Sequence, residues 1–208
     1  MGILKTKRIV SSNNKSSKIF EALFDDTDFL HVNYTSPKEY VQMYWEKYHE
    51  TTKTNNSLNG NIFEIIINTL LYREGLLPFY TQAKVAFVPN IVYDTLLYTP
   101  SRPISLSLKT SLRERYKQAD LEAIALKYVH RQAKCYLLTL DTTEANDNKE
   151  KIRKGAIIGL DRIIDCNSDD INDMIAELHS IKKDLCESHK IDIIKGNLVK
   201  SDNGNNWK

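Results

Sequence analysis

The feature that most constrains this chain is a change in hydrophobic period between residues 73 and 83. Over residues 60–73, Ile62, Phe63, Ile66, Ile67, Leu70 and Leu71 recur at helical spacing and make a broad apolar face, which Gly75 closes. A face that wide must be covered, so this helix is expected inside the protein, where burial leaves little room for an idle carboxylate at Glu64. Downstream the pattern turns extended. Residues 83–88, 91–98 and 104–109 are short β-prone runs, separated by Pro89-Asn90 and by the stretch 99–103 with Pro100 and Pro103. Such punctuation is that of adjacent antiparallel strands.

On either side of this segment the pattern extends the same architecture. An amphipathic helix is expected over 36–50, opened by Ser36-Pro37 with Glu39 and carrying Tyr40, Val41, Tyr44, Trp45 and Tyr48, followed by a polar loop over 51–59. Residues 113–128 return to helical spacing and 133–140 read as a strand. Then come a polar connection over 141–154, a mostly extended run over 156–166, and an amphipathic helix over 169–187 capped by Asn167 or Ser168. This order predicts an α/β protein in which a mixed β-sheet is flanked by helices. A chain of 208 residues with 41% apolar side chains can build one substantial core, so one domain is expected over 1–208, centred on about 60–166 and ending in a disordered tail, SDNGNNWK, at 201–208.

Charge excludes one class of partner-binding surface. Lys and Arg number 29 against 27 Asp and Glu, so a nucleic-acid contact would have to come from local clustering rather than from a globally basic face. Cys135, Cys166 and Cys186 are odd in number and widely spaced, which suits a reducing compartment and argues against a zinc site. The first residues, MGILKTKRIVSSNNKSS, lack a signal-like apolar stretch, and no run approaches the roughly 18 apolar residues of a spanning helix. The expectation is a soluble, cytoplasmic protein with no membrane partner.

Three residues fall where a sheet can gather them: Asp94 in IVYDTLLY, Lys109 at the end of ISLSLK, and Glu122 in the following helix. Singly, each is commonly structural: a satisfied strand acid, a solvated lysine, a surface glutamate. As a set they match what metal-assisted phosphodiester hydrolysis needs. Carboxylate oxygens hold Mg²⁺, which polarises the phosphate and acidifies the attacking water, while an ammonium stabilises developing charge or orients that water. Glu64 could be a further ligand or an outer acceptor.

Between Lys109 and Glu122 the chain reads SLKTSLRERYKQADLEA. Here it resembles the PD-(D/E)XK nucleases, specifically the type II restriction endonuclease group typified by EcoRII and NgoMIV, which reads CCGG or interrupted CC/GG sites. In that group the usual Glu-x-Lys becomes Ser-x-Lys, and the missing acid comes from the next helix about thirteen residues after the Lys. Ser107, Lys109 and Glu122 stand at those positions. Arg113-Glu114-Arg115 matches the group's Arg-(Asp/Glu)-Arg, and GNIFEIIINTLL around Glu64 is similar to its N-terminal acidic helix. Asp94 matches the motif Asp, with Tyr93 in place of the preceding Pro, which ligates nothing. The resemblance covers residues 60–128. It implies catalysis by Asp94, Lys109, Glu122 and Glu64, with Asp94 and Glu122 as Mg²⁺ ligands.

The Arg-Glu-Arg run has a physical meaning of its own. An arginine fork matches O6 and N7 of guanine, and a carboxylate accepts from the cytosine amino group, so Arg113, Glu114 and Arg115 suit a GG step and its paired cytosines. The alternative is an ion-paired helix start. Trp45, beside Tyr44 and Tyr48, offers a face on which an extruded base could stack, although packing of an amphipathic helix explains it as well. The five histidines show no paired spacing. The expected function is therefore a Mg²⁺-dependent restriction endonuclease acting on double-stranded DNA as a homodimer, since symmetric cutting of a palindrome needs two sites related by a twofold axis. A repair or junction-resolving nuclease of the same fold is the alternative, followed by a catalytically silent DNA-binding protein.

Overall fold

The computed structural model describes residues 2–24, 27–88, 90–188 and 193–201. At its centre lies a six-stranded sheet in the order β5-β4-β3-β2-β1-β6. The strands are β1 (Phe79–Val85), β2 (Tyr93–Tyr98), β3 (Pro103–Leu108), β4 (Lys134–Thr139), β5 (Arg162–Asp165) and β6 (Ile193–Val199). β1, β2 and β3 form an antiparallel meander, as the Pro-rich breaks require, and β6 adds antiparallel to β1. β4 and β5 join β3 in parallel. The sheet is mixed, as expected.

Helices α1 (Ile3–Thr6), α2 (Lys15–Glu21), α3 (Pro37–Thr51), α4 (Asn56–Arg73) and α7 (Asp170–Ser180) share one hydrophobic core with one face of the sheet. α5 (Arg115–Val129) and α6 (Thr142–Arg153) pack with the other face. α4 is the central helix of the first core: Ile62, Phe63, Ile66, Ile67, Leu70 and Leu71 are fully buried. Among the described residues no helix is long and apolar enough to cross a membrane, and Cys135, Cys166 and Cys186 are all free.

Several boundaries differ from expectation, each for a physical reason. α4 begins at Asn56, inside the expected loop, because the Asn55 side chain accepts from Leu58 N at 2.9 Å and starts the helix early. The polar connection at 141–154 is α6, capped by Asp141, which accepts from Glu144 N at 2.9 Å. Only Ala145 and Asn148 of α6 are buried, so it shows no apolar stripe to read. β1 starts at Phe79 rather than 83, and a register shift after Thr81 breaks its alternation. The run 156–166 is extended only over Arg162–Asp165, because Asp120 accepts from the amides of Gly159 and Leu160 and holds the preceding loop onto α5. α7 stops at Ser180 with a 3-10 turn at Lys182–Asp184, and neither Asn167 nor Ser168 is its cap residue, which is Asp169. β6 escaped sequence reading because Lys195 and Gly196 interrupt it and only Val199 is fully buried. Of the expected tail, residues 202–208 lie outside the described residues.

Candidate active site

Two parts of the sheet change their side-chain alternation at the same level. In β1, Tyr80 faces the α5 side, yet so do Ala83 and Val85; in β2, Tyr93 and Leu96 both face that side. A strict two-residue period cannot give either pattern, so each strand kinks between those positions. Asp94 lies at the kink of β2, half-buried. Its Oδ2 accepts from Leu108 N at 2.8 Å and from Lys109 Nζ at 2.7 Å. Lys109 follows β3, where its own amide donates to Leu138 O at 3.0 Å. The Asp94 and Lys109 side chains are 14% and 15% exposed, which leaves their charges poorly screened and their geometry narrow.

α4 brings Glu64 to the same place. Asn68, one helical turn further on, accepts a buried hydrogen bond from Thr95 Oγ1 at 2.7 Å, fastening α4 to the residue beside Asp94. Glu64 then accepts from Gln82 Nε2 at 3.2 Å. Burial, and next the negative charge of Asp94, push its carboxyl up to about 7, against the opposing pull of Lys109 and the Gln82 bond. Glu122 arrives from α5, whose backbone is tied to β2 where Tyr93 OH donates to Glu122 O at 3.0 Å. Tyr93 thus fixes the helix that carries Glu122. Burial also raises the Glu122 carboxyl, opposed by the Gln118 hydrogen bond and Lys109 and reinforced by Asp94. Glu64, Asp94, Lys109 and Glu122 therefore form one interacting group.

The donor set suits a hard divalent cation. Asp94 uses only Oδ2, Glu64 only Oε2 and Glu122 only Oε1 in hydrogen bonds among the described residues, so each carboxylate keeps an oxygen without a protein donor. Ser107 Oγ, two residues before Lys109, is buried with no partner among the described residues. No three Asp, Glu, His or Cys side chains among them stand close enough to form a finished metal cage. The carboxylates would have to close on a cation for all of them to hold it.

Arg113, Glu114 and Arg115 are all exposed, at the turn into α5. The helix begins at Arg115 rather than Arg113: Glu114 is its N-cap and Arg113 has φ +30°. Leu112 is fully buried, and Glu144 of α6 accepts from Leu112 N and, at 2.8 Å, from Arg113 N, which holds the turn. Glu114 pairs with Lys117, whereas neither arginine has an ion pair among the described residues. Glu144→Ala removes the acceptor for both amides. We expect roughly 1–3 kcal/mol of lost stability, read by urea denaturation. A variant as stable as wild type would show that Glu144 does not hold the turn.

Trp45 is half-buried, with its ring 4.5 Å from His49, 5.6 Å from Tyr48 and 6.3 Å from Phe63. It packs against the α3–α4 core, and no contact joins it to the carboxylates among the described residues. Asn68, Gln82, Tyr93 and Glu144 were missed as site residues. Only the polar Asn68 within an otherwise apolar helix face carried a signal that could have found one of them.

The mixed sheet with helices on both faces, in which β2 and the end of β3 bring Asp94 and Lys109 together, is a restriction-endonuclease-like fold by its likeness to a solved structure. A solved complex of the restriction endonuclease PspGI with substrate DNA has the same fold: TM-score 0.63 and 16% identity, covering 86% of this chain and 96% of that one. No family model matches the sequence. No curated protein matches it either.

Proposed function

We propose that the protein is a type II restriction endonuclease, a Mg²⁺-dependent site-specific deoxyribonuclease that cuts double-stranded DNA at a short palindrome with a CCGG or CC/GG core. The observation that carries this reading is the Lys109–Asp94 contact of 2.7 Å, set among Glu64 and Glu122 in this fold. Asp94 and Glu122 would hold the metal and Glu64 would assist them. Magnesium, when bound, supplies Lewis-acid chemistry at the scissile phosphate. Lys109, oriented by Asp94, offers its ammonium to the charge that develops on the phosphate oxygens. PspGI was solved with substrate DNA, which supports DNA as the partner here. A homodimer supplies one such site to each strand of the palindrome.

Digestion of mixed-sequence plasmid DNA tests this directly. Discrete bands that need Mg²⁺ and whose ends map to one palindrome are expected. A smear or cutting confined to branched DNA would assign the same residues to a repair or junction-resolving nuclease, and no cutting at all would overturn the enzyme reading.

Specificity rests on Arg113, Glu114 and Arg115. If each arginine grips a guanine through two hydrogen bonds, its replacement by Ala costs roughly 1–3 kcal/mol of base discrimination, while nonspecific affinity changes much less. Glu114→Gln turns half the acceptor into a donor and weakens cognate binding. Competition between duplexes altered at single C·G pairs measures both. Equal weakening on every duplex in Arg113→Ala and Arg115→Ala would make the run a phosphate clamp and remove the argument for the CCGG core.

A further inference from the structure

Gln82 is out of place by every local criterion. It is a non-glycine residue with φ +52° inside a strand, a left-handed conformation that glycine adopts freely and other residues adopt at a cost. It is exposed, so core packing does not select its side chain. The β1–β2 ladder brackets it with Asp94, between the Thr81–Thr95 and Ala83–Tyr93 pairs, while the β1–β6 ladder loses register between Thr81 and Lys84. In a regular strand Gln82 would share the face of Tyr80, on the α5 side of the sheet, away from α4. The kink sends it the other way, and its amide meets Glu64 Oε2 at 3.2 Å.

We propose that Gln82 is a positioning residue, a strained bulge in β1 that directs an uncharged donor onto Glu64 and sets that carboxylate beside Asp94 and Lys109. An amide is suited to the task because a third carboxylate there would add repulsion and a second cation would compete with Lys109 for Asp94. Glycine would relieve the backbone but leave Glu64 without its donor, so the strain is retained for the side chain. This role rests on the nuclease reading above.

The test separates backbone from side chain. Gln82→Gly, Glu64→Ala and the double variant are compared with wild type on supercoiled plasmid DNA under single-turnover conditions with Mg²⁺. Their melting temperatures and metal-free affinities for a fragment carrying the mapped site are measured alongside. Gln82→Gly should melt at or above the wild-type temperature and bind the fragment as well, yet cut about tenfold more slowly. In the Glu64→Ala background the same change should add nothing, because both variants remove one interaction. Gln82→Asn tolerates the left-handed backbone but is one methylene short, and should show the same loss; it serves as the folded comparison if the glycine variant is unstable. Wild-type cutting by Gln82→Gly and Gln82→Asn, or an equal slowing in both backgrounds, overturns the role, the second outcome by placing Gln82 on the DNA itself. A wild-type protein that does not cut overturns the nuclease reading and this role together, whereas the other failures leave the nuclease reading standing.

Discussion

Lys109→Ala should leave a protein that still binds its site but cuts it at least about a hundredfold more slowly, the scale on which removal of one charge-stabilising donor acts. The ammonium is held 2.7 Å from Asp94 at the end of β3, so its position is set before DNA arrives. Its proposed work is on charge that appears only in the transition state, and loss of such an interaction lowers the cleavage rate far more than ground-state affinity. The measurement is single-turnover cleavage beside metal-free binding of the same duplex. Cutting at the wild-type rate, with contaminating nuclease excluded, removes Lys109 from the catalytic set. Equal losses in binding and rate would make it a docking residue.

Glu122→Ala should lose Mg²⁺-dependent cutting to a similar degree, on the order of a hundredfold, if Glu122 is the acid relocated from the strand. The structure offers a way to test relocation as well as loss. Ser107 Oγ is buried and unpartnered among the described residues, at the strand position that the resemblance gives to an acid and one residue before Leu108, whose amide already binds Asp94. Adding Ser107→Glu to Glu122→Ala places a carboxylate there and should recover part of the rate. Full activity in Glu122→Ala alone refutes the relocation.

Much of this architecture was legible along the chain because its signals are local. The apolar face of α4 has a helical period, and the meander β1–β2–β3 is cut by Pro89 and by Pro100 and Pro103. Lys109 and Glu122 sit at a spacing that a turn and one helix convert directly into proximity. Elements whose stability comes from partners were harder to see. α6 buries only Ala145 and Asn148, and β6 is stabilised chiefly by its ladder with β1, so neither leaves a hydrophobic period.

By itself, then, the sequence determined the order of the main helices and strands, the mixed sheet they imply, and an acid and a lysine on neighbouring strands that the fold brings together, because propensity, periodicity and spacing act over a few residues. Only the tertiary structure decided how those residues face one another. The bond from Thr95 to Asn68 sets Glu64 over the kink at Asp94, Tyr93 fastens the backbone of Glu122, and Glu144 holds the turn that presents Arg113. Each joins residues 27 to 31 positions apart in sequence. Contacts at that separation are chosen by how the layers pack, and no local period records them.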